Sequence, residues 1–194
     1  GYLQLHENSE HSSSLIISHH SLSSPITAYH RLSPPITTLK MTTTDRNTYL
    51  TSHIDPEGDY LYRLYRATNI HTIHGRMASG HLQGRLLKML VHMIRPKNIL
   101  EVGTFSGYSA ICMAEGLEEN GKLYTYEIND EMEDFTRPWI EGSPVAGRID
   151  FRIGDAAEEA PKLGIVFDMA FVDGDKRTYT EVYEKILPVI RPGG

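Results

Sequence analysis

Residues with chemical potential stand in four short stretches, each closing an apolar run. Ile99-Leu100-Glu101-Val102 opens into Gly103-Thr104-Phe105-Ser106-Gly107, and Leu123-Tyr124-Thr125-Tyr126 ends at Glu127. Further on come Gly154-Asp155-Ala156 and Asp173-Gly174-Asp175-Lys176. Gly103 permits positive φ and close approach of a ligand to the backbone. Ser106 is placed to cap the next helix, where free N–H groups can meet a polar ligand. Glu127 follows Gly103 by 24 residues, a spacing at which an acid accepts both hydroxyls of a ribose. The small residue after Gly154-Asp155 can admit a flat adenine, with Asp155 accepting from its amine. In the last stretch one carboxylate suits a hard divalent cation, and Lys176 can remove a proton from a bound hydroxyl. Each stretch also has a plain structural use: a strand-to-helix turn, a solvated Glu127, a helix-capping Asp155, a charged turn. Taken together, the turn and the acid favour a nucleoside.

Two nucleoside cofactors fit that outline. A dinucleotide needs its pyrophosphate cradled by G-x-G-x-x-G, whereas here the glycines stand as G-x-x-x-G and Phe105 occupies the close-approach position. Glu101 would sit badly beside two phosphates but suits a ligand with an amino group and a sulfonium. S-adenosyl-L-methionine is therefore expected over NAD. A nicotinamide oxidoreductase on the same architecture, or a non-catalytic nucleoside-binding module, remain the competing hypotheses.

These stretches need a frame that brings strand ends together. Strands are expected at 98–102, 122–127, 148–153 and 166–172, with helices between and after them at 107–119, 130–141, 155–162 and 177–190. Ahead of them, 49–67 reads as two short helices broken by Asp55-Pro56-Glu57-Gly58. The stretch 81–94 reads as an amphipathic helix with Leu82, Leu86, Leu90 and Met93 on its apolar side and Arg85, Lys88 and His92 opposite. Alternating strands and helices predict an α/β, doubly wound parallel sheet whose ligands bind at the strands' carboxyl ends.

The chain has 194 residues, 40% of them hydrophobic and 23% charged, enough for one globular core. A net charge of −6 argues against a nucleic-acid partner. The single cysteine, Cys112, allows no internal disulfide and reads as a small buried hydrophobe. Without a membrane-spanning run or a signal-peptide core, a cytoplasmic protein is expected. Residues 1–40 hold nine Ser and five His without any regular period, so 1–47 is expected to be a disordered tail, or sequence upstream of a start at Met41, and 48–194 the domain. Arg191-Pro192-Gly193-Gly194 is a turn with nothing after it, as expected of a fragment. His71-Thr72-Ile73-His74 has ligand-like spacing but too few partners for zinc. Pro138 should shorten or kink its helix, and Trp139 has no assigned role.

ILEVGTFSGYSA, LYTYEIN and FVDGDK, in that order, resemble the cation-dependent class I O-methyltransferases, the catechol and caffeoyl-CoA O-methyltransferase group. Met77-Ala78-Ser79 with Gln83-Gly84 is similar to that family's lid. The resemblance, from about residue 60 to 194, implies a Rossmann-like class I methyltransferase fold lacking its last strands, and transfer of a methyl group to a hydroxyl of a phenolic small molecule. It implies that Ser79, Glu101, Gly103, Thr104 and Ser109 hold the methionine end of S-adenosyl-L-methionine. Glu127 would take the ribose, Ala156 the adenine, and Asp175 the amino group. Asp173 would bind a divalent cation, Mg²⁺ foremost, and Lys176 would be the base. In the family a later strand brings an Asp-Asn pair that completes the metal site. Its absence here, with one edge of 166–172 left unpaired, predicts a fragment of weak or no activity, and the relatives suggest a homodimer.

Overall fold

The computed structural model of the protein describes residues 42–194; the expected tail over 1–40 and the start at Met41 lie outside the described residues. In chain order the elements are α1 (Thr43–His53), α2 (Asp59–His71), α3 (Gly80–Ile94), β1 (Asn98–Val102), α4 (Tyr108–Gly116), β2 (Lys122–Glu127), α5 (Glu133–Glu141), β3 (Ile149–Ile153), α6 (Ala156–Glu159), β4 (Met169–Val172) and α7 (Tyr179–Ile186). Helix α1 starts inside the stretch expected as tail because Thr42 and Asp45 cap it reciprocally. Thr42 Oγ1 accepts from the Asp45 N–H at 3.1 Å, and the Asp45 carboxylate accepts from the Thr42 N–H at 3.0 Å.

All four strands are parallel, in the order β3-β2-β1-β4. Alternation along them splits the apolar residues between two layers. Ile99, Leu123 and Phe151 pack with Leu64, Leu87, Val91 and Ile111 from the helices preceding β1 and following it. Leu100 and Tyr126 pack with Ala156, Ala160, Phe167 and Ile186 on the other face. Helices therefore cover both faces, and the strands' carboxyl ends share one rim, as the doubly wound expectation requires.

Helix α4 lies deepest, with Ala110, Ile111, Cys112, Met113 and Ala114 at most 1% exposed. It is sealed by α3, which approaches so closely that a Cβ on Gly84 would stand 2.6 Å from Cys112 Sγ, and one on Gly116 2.7 Å from the Lys88 carbonyl. This contact sets the rotation of α3, and it is not the rotation that the leucine spacing predicts. Gly84, Arg85, Leu87 and Val91 face inward, while Leu82, Leu86 and Met93 are 40%, 49% and 71% exposed. Arg85 is tolerated inside because Nη1 donates to Glu115 Oε2 at 2.6 Å and Nη2 to the Glu57 carbonyl at 2.7 Å.

Several element ends differ from expectation for local reasons. Pro188 has no N–H to give, so α7 stops at Ile186 and a 3₁₀ turn follows over Leu187–Val189. Pro161 has the same effect after α6, which is a single turn. Helix α5 runs through Pro138 to Glu141 but begins only at Glu133, after a 3₁₀ turn at Asp130–Met132. Trp139 packs edge-on against Tyr60, centroids 5.6 Å apart. Strand β4 is shorter than 166–172 because Phe167 pairs outward: its N–H donates to the Val189 carbonyl at 2.8 Å and its carbonyl accepts from Arg191 at 3.0 Å. Met169–Val172 themselves pair only with β1 among the described residues. No helix among them is long and apolar enough to cross a membrane.

Candidate active site

At the rim, the turn after β1 is fixed by its own hydrogen bonds. The N–H groups of Gly103 and Thr104 donate to the Tyr126 carbonyl at 2.9 and 3.1 Å, and that of Gly107 to the Thr104 carbonyl at 2.9 Å. Gly103 has φ 97°, and a Cβ there would lie 2.6 Å from the Asp173 carbonyl oxygen. The glycine therefore serves close approach of β4's end to the turn, as well as the positive φ expected from sequence. Phe105 is also left-handed, at φ 47°, a strained state for a bulky residue. Both its polar backbone atoms are held: the N–H donates to Glu127 Oε2 at 2.7 Å and the carbonyl accepts from the buried Thr136 hydroxyl. The helix cap is Gly107 at φ 83°, not Ser106, which makes no capping bond.

Beneath the turn sits Glu101, fully buried. Its two oxygens accept from Ser109 Oγ and Thr125 Oγ1, each at 2.6 Å, and Thr125 Oγ1 is 2.6 Å from Thr104 Oγ1. Burial pushes its pKa up to about 7, against the pull of those two hydroxyls. Glu101 thus lines neither of the two rim cavities described next. It stands behind Ser109 and Thr104, which do line one, and acts on the site through them.

Two cavities adjoin at this rim, sharing Met77, Gly103, Phe105, Asp173 and Gly174 as walls. The larger, about 620 Å³, has Val102, Phe105, Ile128, Ala157 and Val172 as apolar walls and Glu127 and Asp155 among its acids. Glu127 is only 8% exposed, with Oε1 accepting from the Asn129 N–H at 2.9 Å; each of its oxygens keeps a lone pair for a ligand. Asp155 caps α6, accepting from the Ala157 N–H at 2.9 Å. The expected adenine-side residue Ala156 is instead packed in the core at 2% exposure, and its neighbour Ala157 lines the cavity. The smaller cavity, about 460 Å³, is lined by Ser79, Gln83, Thr104, Ser106, Tyr108 and Ser109, with Arg76 and Lys176.

The last stretch splits its two carboxylates. Asp175 is bound on both oxygens by the Arg177 guanidinium, at 2.6 to 3.1 Å, and that bonding draws its pKa down to about 2. It faces the larger cavity as half of an ion pair. Asp173 lines both cavities, and its carboxylate makes no hydrogen bond or ion pair among the described residues. No three His, Cys, Asp or Glu side chains gather into a possible metal cluster among those residues, so Asp173 would bring a single carboxylate to a cation. Cys112 is inert here, its thiol pushed up to about 12 by burial.

Thr125 and Thr136 are the site residues that motif reasoning passed over. The one available signal was a threonine at a strand position flanked by buried neighbours. Tyr108 adds another: it lines the smaller cavity while its hydroxyl donates to Glu57 Oε1 at 2.6 Å, which ties the α1–α2 loop to the rim.

A parallel doubly wound sheet with an acid-rich pocket at its rim defines a class I, Rossmann-like fold. Residues 51–194 match the O-methyltransferase family, and the chain belongs to it. Tricin synthase 2 of Oryza sativa subsp. japonica is 35% identical over 144 residues, 71% of this chain and 49% of that protein. A catechol O-methyltransferase of Niastella koreensis is 37% identical over 115 residues, covering 57% and 52%. The SAH-bound methyltransferase PaMTH1 of Podospora anserina superposes with a TM-score of 0.72 at 28% identity, covering 78% of this chain and 67% of that one. The chain thus spans about half the length of the curated relatives it matches.

Proposed function

We propose that this chain carries the cofactor half of an O-methyltransferase that moves a methyl group from S-adenosyl-L-methionine to a hydroxyl of a catechol-like or other phenolic small molecule, assisted by a divalent cation. The observation that carries this reading is the pair of adjoining cavities with Asp173 in their common wall. The larger, with its apolar walls and nearly buried Glu127, suits an adenosine; Ser79, Thr104 and Ser109 in the smaller suit an amino-acid end. The SAH-bound relative supports the same cofactor.

In this reading Glu127 orients the ribose, and the turn held by Glu127 and Thr136 fixes the wall between donor and acceptor. Lys176 takes the proton from the acceptor hydroxyl. The freed oxygen bonds to the methyl carbon as the S–C bond breaks, its electrons remaining on a now neutral sulfur. A divalent cation at Asp173 would lower the pKa of the acceptor hydroxyl.

Calorimetry tests the cofactor claim: S-adenosylhomocysteine should bind and NAD should not, and the reverse would reject it. Asp173→Ala should leave S-adenosylhomocysteine binding largely intact while removing any cation-dependent turnover. Turnover that persists in EDTA would reject the metal role.

A further inference from the structure

The turn between β1 and α4 carries an aromatic residue where its geometry asks for glycine. The Gly107 N–H donates to the Thr104 carbonyl at 2.9 Å, which closes a four-residue turn over 104–107. Of its two central residues only Phe105 has a positive φ, at 47°. A positive φ at the first central residue alone is the pattern of a II′ turn, where that position is ordinarily glycine. Phe105 therefore keeps this state only while groups outside the turn hold it.

Two side chains do so. Glu127 Oε2 accepts from the Phe105 N–H at 2.7 Å, and the Thr136 hydroxyl donates to the Phe105 carbonyl. Glu127 already has the ribose, but Thr136 has no task on a ligand: it lines neither cavity and is fully buried. Its hydroxyl also behaves unlike others in the helices. Thr51 and Thr68 each donate to the carbonyl four residues back, at 2.8 Å. Thr136 lies within α5 and donates instead to a carbonyl 31 residues upstream. Helix α5 comes this close because the turn ends in glycine: a Cβ on Gly107 would stand 3.0 Å from Ile140 and 3.6 Å from Thr136 Cγ2.

Phe105 belongs to the wall that the two cavities share, so a ligand spanning both must pass it. We propose that Thr136 is a positioning residue: its buried hydroxyl keeps Phe105 left-handed and so holds the shared wall in shape for a ligand that spans both cavities. This rests on the reading of the two cavities as the two ends of one cofactor site. Released to negative φ, Phe105 would turn its ring and its N–H away from their present places, and Glu127 would lose the donor now bound to Oε2.

Thr136→Val keeps the side chain's volume and removes the donor, whereas Thr136→Ser keeps the donor. In the isotope-labelled chain the HN–Hα coupling of Phe105 reports its φ, and calorimetry gives S-adenosylhomocysteine affinity. Thr136→Val should change the coupling and weaken S-adenosylhomocysteine about tenfold, as for one lost buried hydrogen bond. Thr136→Ser should keep the coupling and stay within about threefold of the unaltered affinity. Phe105→Gly supplies a second arm, because glycine takes positive φ unaided. Adding Thr136→Val to it should lower the thermal midpoint by about half as much as in the unaltered chain, or less. An unchanged coupling or affinity in Thr136→Val, an equal loss in Thr136→Ser, or an undiminished midpoint loss beside Phe105→Gly would each overturn the proposal. Should Thr136→Val alone not fold, the double variant should fold; its failure would show that Thr136 serves α5 and not the turn. Failure of S-adenosylhomocysteine to bind the unaltered chain would instead count against the cofactor reading, and the couplings would still decide what Thr136 holds.

Discussion

Glu101→Gln is the perturbation that most directly probes the base of the site. Glu101 is fully buried, with only two hydroxyl donors to offset the loss of water. Its pKa rises from 4.5 to about 7. An acid whose folded pKa exceeds its unfolded value keeps its proton longer in the native state. Its contribution is complete below the unfolded value, and stability is lost as pH rises toward the folded one. At 1.36 kcal/mol per unit, the loss reaches about 3 kcal/mol above pH 8, and about 2–3 kcal/mol of it falls between pH 5 and pH 8.

Gln is nearly isosteric and still accepts from one hydroxyl while donating to the other, since a hydroxyl can rotate to suit. It carries no proton equilibrium. Urea unfolding of both proteins at pH 5, 6, 7 and 8 should therefore show the wild type losing about 2–3 kcal/mol relative to Glu101→Gln as pH rises. Asp173 and Glu127, whose charges help raise the Glu101 pKa, are present in both proteins, so their own contributions largely cancel in the difference. Parallel stability curves across that range would refute the claim that Glu101 is a strained buried carboxylate.

Glu127→Ala removes a carboxylate from the larger cavity and frees the Phe105 N–H, so S-adenosylhomocysteine affinity by calorimetry should fall by about 1.5–3 kcal/mol; a change of a few tenths would remove Glu127 from the ribose role. Gly103→Ala meets both a positive φ and the Asp173 carbonyl at 2.6 Å, and should lower unfolding free energy in urea by about 2–4 kcal/mol. A neutral result would mean that β4's end moves freely against the turn. Arg85→Ala strands the Glu57 carbonyl and leaves the partly buried Glu115 without its closer cation. Its cost should be about 1–3 kcal/mol, the low end reflecting the 27% exposure of Glu115 and its second cation Lys88.

Strand positions were legible because β1 and β2 are short apolar and aromatic runs that carry an acid at or next to their ends, and both occupy the expected 98–102 and 122–127. The rim order of turn, acid and Asp173 was legible for the same reason, since a parallel sheet leaves strand ends only one place to meet. Rotation of α3 was not. Leu82, Leu86 and Met93 follow a helical stripe, but Gly84 and Gly116 allow a backbone approach that a stripe of leucines could not, and the glycines decide the interface. Side-chain partnerships at the rim were also hidden. Asp173 and Asp175 are alike in sequence, and only the fold shows that Arg177 occupies one and leaves the other open. Ala156 and Ala157 differ by one helical step, which moves one into the core and the other onto the cavity wall.

Hydrogen-bond direction in the turn connects fold to ligand. A loop that cradles phosphate presents free N–H groups. Here those of Gly103, Thr104, Phe105 and Gly107 are already donated, to Tyr126, Glu127 and Thr104. What remains open toward the larger cavity is mainly acceptors: the spare lone pairs of Glu127, the Asp155 carboxylate and Asp173. Such a rim repels a pyrophosphate twice, by charge and by its shortage of donors, and favours a ligand that brings its own donors and a positive charge. The strain in the left-handed Phe105 is part of the same arrangement, because the Glu127 bond that holds its N–H is also what removes that donor from the ligand's reach.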